Sequence, residues 1–257
     1  MIEEQKAQEV PPIKGKGAEA TLVLAHRLVL FLVWQALFAA GYLLAGHAEP
    51  WSASVAWWPI SVTLTNLVTI AYLRRQAARE GVSYWQLIGA VLDRQHVKRD
   101  LLTVLGVLLA AAPAAMLPNI GLATLLFGDP MVPVGMFAQP LPVSVALASM
   151  VLFPLSIAFA ELPFYFGYVM PRLAAGRPGY GWPVILPALF LAAQHATLPF
   201  IPDPRFVLWR LGMFIPFALL LGFVLRWRPR LLPYLMAIHA LIDLSAASMV
   251  WQVSTGG

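Results

Sequence analysis

No cysteine occurs anywhere in the chain. That absence excludes a disulfide framework, a thiolate nucleophile, a thiolate metal site and lipid attachment through cysteine. Charge is scarce as well. Only 11% of the 257 residues are Asp, Glu, Lys or Arg, against about 25% in a typical soluble domain. Several hydrolase signatures are missing: there is no HExxH zinc motif, no GxGD aspartyl motif and no GxSxG elbow. No internal repeat is visible, which counts slightly against a repeat-built transporter.

What the chain has instead is apolar length. Hydrophobic residues make up 60% of it, and the mean hydropathy is +0.75. The apolar runs lie at 22–45, 52–73, 101–118, 142–168, 182–199, 206–226 and 231–252. A helix needs roughly 20 such residues to cross a hydrocarbon core. The expectation is an all-α, polytopic membrane bundle of about seven helices, or eight if 101–127 divides at Pro118-Asn119. Residues 21–257 form one transmembrane domain, and the polar stretch 1–20 reads as a mobile cytoplasmic tail. The first run is too long for a signal-peptide core and reads as an uncleaved anchor.

Lys and Arg favour cytoplasmic loops. With seven spans, all of the 17 basic residues except Arg205 and Arg210 fall on one side. This includes Arg27, counted with the N-terminal region, and Arg172 after the fourth span. The reading is N-terminus inside and C-terminus outside. The net charge of +5 is then a matter of topology, and no nucleic-acid partner is expected. Arg210, near the outer end of its span, is expected to snorkel to the interface. Between the second and third spans, Tyr84, Trp85, Ile88, Val91 and Leu92 share one helical face. That segment is either a helix lying in the interface or a plain connecting helix.

Of the 12 acidic residues, Glu161 and Asp243 fall inside spans and the others in the tail or loops. His195 and His239 are also inside spans, while His47 and His96 are in loops and His26 stands at a span entrance. A charge at the bilayer centre costs at least about 2.5–3.5 kcal/mol. At a rise of about 1.5 Å per residue, all four groups sit roughly 10–20 Å from the cytoplasmic end. They can therefore share one layer, and His239 and Asp243 share one helix face. Pro163, two residues after Glu161, cannot donate to the carbonyl of Phe159, which opens the helix there and frees a carbonyl for water or substrate. One carboxylate, two imidazoles and a second carboxyl suit general-base activation of water beside donors for an oxyanion. The same residue types also build proton relays and metal sites, and as plain hydrogen-bonding pins they would hold helices together.

Three motifs in successive spans carry a resemblance. The first reads Glu161-Leu162-Pro163-Phe164-Tyr165-Phe166-Gly167 and continues through Tyr168-Val169-Met170-Pro171-Arg172-Leu173. The second reads Leu191-Ala192-Ala193-Gln194-His195, with Phe190 one place early. The third reads His239-Ala240-Leu241-Ile242-Asp243. In order and placement, 142–252 resembles the CAAX-protease and bacteriocin-processing (CPBP) intramembrane proteases, whose motifs are EExxxR, FxxxH and HxxxN. The resemblance implies a glutamate-dependent membrane peptidase without a cofactor, in a prokaryotic cytoplasmic membrane. Its substrate would be a membrane-associated protein or peptide. By position, Glu161 would activate water, His195 would help hold it, and His239 with residue 243 would stabilise the oxyanion.

The departures are Leu162 for the second Glu, Phe166 for the Arg, and Asp243 for the Asn. Loss of a buried pair together is often neutral, whereas loss of one partner is costly. Leu162 and Phe166 are therefore expected in apolar surroundings. An ionised Asp243 cannot donate to an oxyanion. It must carry a proton or act through His239. A non-catalytic scaffold with the same fold, a proton-coupled transporter and a divalent-metal site are the alternatives to the peptidase.

Overall fold

The computed structural model describes residues 23–90, 95–176 and 181–256. The expected mobile tail at 1–20 lies outside the described residues, as do Val91 and Leu92 of the connecting segment. The described residues form helices and no strand. The seven principal helices are α1 His26–Leu44, α2 Trp58–Glu80, α3 Val97–Phe127, α4 Val143–Ala158, α5 Trp182–Ala196, α6 Pro204–Trp227 and α7 Leu232–Thr255. Six helical segments are long and apolar enough to cross a membrane, and α5 is a shorter apolar helix. The chain is thus an all-α polytopic membrane bundle, as its apolar runs imply.

Helix α3 runs unbroken through Pro113 and Pro118, so the division at Pro118-Asn119 does not occur. A partner from α6 meets it there: the Trp209 indole N–H lies 3.0 Å from Asn119 Oδ1 and 3.2 Å from its carbonyl. Left-handed glycines end α2 at Gly81 and α3 at Gly128, a backbone position that other residues enter at a cost.

Packing divides the helices into two groups. α4 packs between α2 and α7, with α1 against α2, while α6 packs between α5 and α3. Contact between α6 and α7 is slight. The groups meet where α4 continues past its own end. After a turn at Phe159-Ala160, the chain widens into a π-helix over Pro163–Val169 and returns to α-helix at Met170–Gly176. Proline at the first position of the widened stretch fits its missing N–H. π-Helical turns are rare and gather at functional sites.

Two apolar clusters fill the interior. One holds Leu73, Leu162, Phe164, Phe166, Leu191, Ala218 and Leu235. The other holds Phe31, Val62, Phe153, Leu198, Trp209 and Ala247. Between the residues of the two clusters stand Arg27, Asn66, Glu161, Gln194, His195, Arg210, His239 and Asp243, a polar layer between two apolar ones, and Ser156 joins it through Asn66.

The described part of the connecting segment is helical for less than either an interfacial or a connecting helix would require. Its helix is a single turn, Tyr84–Leu87, closed by a capping box between Ser83 and Gln86 and ended by Gly89 in the left-handed region. Leu87 and Ile88 are buried in the bundle, while Trp85 and Gln86 are exposed. The close approach needs a glycine opposite. A Cβ on Gly167 would stand 2.8 Å from the Ile88 carbonyl oxygen and 2.9 Å from its Cβ.

Candidate active site

Glu161 enters the site from the turn between α4 and the π-helix, and its side chain is buried. Its two oxygens face different partners. Oε2 accepts from Gln194 Nε2 and lies 3.4 Å from Arg27 Nη2. Oε1 lies 3.2 Å from His239 Nε2. That same nitrogen lies 3.0 Å from Asp243 Oδ2. A ring nitrogen carries at most one proton, and here two carboxyl oxygens face it. Neither contact has hydrogen-bond geometry, so Glu161 Oε1 and Asp243 Oδ2 are buried acceptors without a hydrogen-bond donor. Asp243 thus meets His239 at the same nitrogen that Glu161 faces.

Exposure grades along this line, from 2% for the Glu161 side chain to 11% for His239 and 18% for Asp243. The open end is thus at α7, which packs on α4 with one face and leaves Leu241 and Ile242 exposed on another. A cavity of about 330 Å³ lies one turn from Glu161 and His239, between Ala158 and Phe159 of the α4 end and Met236 and Ala237 of α7.

His195 stands beside this trio and does not bond to it. Its Nδ1 is 2.8 Å from the Leu191 carbonyl, an acceptor, so Nδ1 carries the proton and neutral His195 presents Nε2 as an acceptor. The ring stacks on Phe214 of α6 at 3.6 Å between centroids. Its electrostatic neighbours include Glu161, His239 and Arg210. The four residues singled out in the sequence therefore share one layer, three of them in direct contact.

Three basic residues are not where their place in the sequence suggested. Arg210 does not snorkel: it is buried, donating Nε to the His195 carbonyl at 3.1 Å and Nη2 to the Leu198 carbonyl at 2.9 Å. These carbonyls lie at and just past the end of α5, where a cation offsets unpaired oxygens and the helix dipole. Arg27 is not a flanking charge. It is fully buried in α1, with Nε donating to Gln194 Oε1 at 2.8 Å, Nη1 to Thr69 Oγ1 at 3.1 Å and Nη2 to Asn66 Oδ1 at 2.9 Å. Arg172 is likewise buried rather than in a solvated loop, paired with Glu80 at 2.6 Å and lying over the Tyr168 ring. Asp100, assigned to a loop, is buried in the first turn of α3 and meets Arg230 Nε at 2.8 Å.

The sequence reading also missed the neutral residues that hold Glu161. Gln194 bridges Arg27 and Glu161 and accepts from the Tyr165 hydroxyl at 3.2 Å. Asn66 accepts from Arg27 and donates to Ser156 Oγ at 3.0 Å. Amides carry no charge to mark them, although Asn66 and Gln194 stand inside apolar runs, and Arg27 is itself five residues into one.

The carbonyl freed by Pro163 is occupied. Tyr84 donates its hydroxyl to the Phe159 oxygen at 2.5 Å. Leu162 and Phe166 are buried in the apolar cluster. Phe166 uses space left by Gly222 of α6, where a Cβ would come within 3.0 Å of its ring. Among the described residues, no group of three or more His, Asp or Glu gathers in the manner of a metal site. Compared with family models, with curated proteins and with solved structures, the chain matches none of them.

Proposed function

We propose that this chain is an intramembrane peptidase in which Glu161 activates water. The carrying observation is the pair of oxygens on Glu161. One is held by Gln194 and Arg27, while the other, Oε1, faces His239 with acceptor capacity unused. A water donating to Oε1 would lose its proton there as its oxygen attacks a peptide carbonyl. The His239 Nε2 proton would meet the developing oxyanion, and Glu161 would return its proton to the leaving amine. His195 Nε2 is an acceptor for the second water proton. The order of the three motifs supports the same reading, and with it a substrate that is a membrane-associated protein or peptide.

The expected orientation is N-terminus inside and C-terminus outside. Burial of Arg27, Arg172 and Arg210 removes them from the charge count, and the asymmetry of the remaining basic residues stays as it was. A reporter fused after Gly257 should be accessible from outside only, and a cytoplasmic signal would reverse the assignment.

A second reading rests on the graded exposure from Glu161 through His239 to Asp243, which is also the form of a proton path. One experiment separates the two. Wild-type protein and a Glu161→Gln variant are placed in proteoliposomes with membrane extracts, and new peptide termini and proton flux are both recorded. New termini that vanish with Glu161→Gln support the peptidase. Substrate-dependent proton flux without new termini overturns it.

A further inference from the structure

A groove of about 540 Å³ opens on the surface where α2 ends, away from the carboxyl layer. Its walls are Arg74 and Ala78 from α2, Tyr84 and Trp85 from the single helical turn, and Phe159 at the end of α4. Trp85 stands at an angle of 73° to Phe159, with centroids 5.9 Å apart. That pair also walls the smaller cavity between α4 and α7, so it forms a ridge between two depressions. At the rim, Arg74 is exposed and has no carboxylate or hydrogen-bond partner among the described residues.

We infer that this groove is a binding site for an anionic phospholipid. The headgroup phosphate would lie on Arg74 and an acyl chain along Ile70, Trp85 and Phe159. Three features combine to select that ligand. Amphipathic aromatic rings and an arginine at the end of an apolar span mark the headgroup level of a bilayer. An unpartnered guanidinium is a phosphate donor with bidentate geometry. Apolar lining adjoins that charge, with Ile70 one helical turn nearer the middle of α2, which fits a molecule with an anionic head and a hydrocarbon tail and does not fit a free anion. The inference stands apart from the peptidase reading. Its structural consequence reaches the site all the same, because Tyr84 in the groove wall holds the Phe159 carbonyl two residues before Glu161.

The test uses the full chain in bilayer discs of phosphatidylcholine with a minor fraction of phosphatidylglycerol, followed by detergent extraction and native mass spectrometry of retained lipid. Wild type should retain one phosphatidylglycerol per chain in preference to phosphatidylcholine. Arg74→Gln should weaken retention by at least the roughly fivefold that one basic residue at a membrane surface is worth. Ala78→Trp keeps every charge and fills the groove from an exposed position, so it should abolish retention while Arg75→Gln leaves it nearly intact. Undiminished retention in Ala78→Trp would overturn the inference. So would equal losses in Arg75→Gln and Arg74→Gln, equal retention of both lipids, or displacement of the lipid by inorganic phosphate alone.

Discussion

Arg27 and Glu161 stand 134 residues apart in the chain and 3.4 Å apart in the bundle. Each is buried, and each has further partners that depend on the other's position: Gln194 bonds both. The first helix is thereby tied to the candidate catalytic carboxylate, which the three motifs alone would confine to the second half of the chain.

Removing one member of such a pair leaves a buried charge uncompensated. Arg27→Ala should cost ~3–5 kcal/mol of stability, whereas Arg27→Met with Glu161→Met should recover most of it. Reversible unfolding in mixed micelles measures both. A double variant no more stable than Arg27→Ala would show that the pair does not act as a unit.

Asp243 shares one imidazole nitrogen with Glu161, and an amide at that position can donate where an ionised carboxyl cannot. In a peptidase assay, Asp243→Asn should keep or raise activity, and Asp243→Ala should lose roughly 10²–10³ in rate, the usual effect of removing one oxyanion donor. Equal loss in both variants would mean that the carboxyl itself is needed, and would favour the proton path.

Tyr84 ties the loop to the opened turn. Tyr84→Phe leaves the Phe159 carbonyl without its donor and should cost ~1–3 kcal/mol. Burial pushes the Tyr84 hydroxyl above its ordinary value of 10.0, so the folded protein favours the protonated form. The sign follows from linkage. An acid raised on folding contributes stability below its unfolded value, and that contribution is lost as pH rises past it. The stability gap between wild type and Tyr84→Phe should be constant at neutral pH and shrink above about pH 10. A gap that widens there would contradict the hydrogen bond.

Gly167 lets Ile88 approach the π-helix. Gly167→Ala should cost ~1–3 kcal/mol through the contact it forces with backbone. Gly106→Ala in α3, where a Cβ meets nothing within 4 Å, should be neutral or add up to ~1 kcal/mol. Similar melting temperatures for the two variants would refute the packing argument.

Helix number and placement were legible because hydrocarbon spans need long apolar runs, and such runs stand out in any sequence. Glu161, His195, His239 and Asp243 were legible for the related reason that ionisable groups are expensive inside a span. The opening of the helix at Phe159, just before Glu161, could be read from Pro163, because a missing N–H has a local consequence. The line of exposed apolar faces on α3 and α7 also follows from composition.

Other features required the third dimension. Arg27 and Arg172 near span ends look like topological charges, because a count of basic residues treats every arginine alike and only neighbours from other helices reveal burial. Asn66 and Gln194 carry no charge to mark them. The Tyr84 bond to Phe159 joins two segments 75 residues apart, and no periodicity records it. By itself the sequence determined the bundle, its apolar surface and the carboxyl–imidazole layer, since each follows from the cost of putting given side chains in hydrocarbon. Only the tertiary structure decided which oxygen of Glu161 is held and which is open, because that depends on which helices bring Arg27, Gln194 and His239 to its two sides.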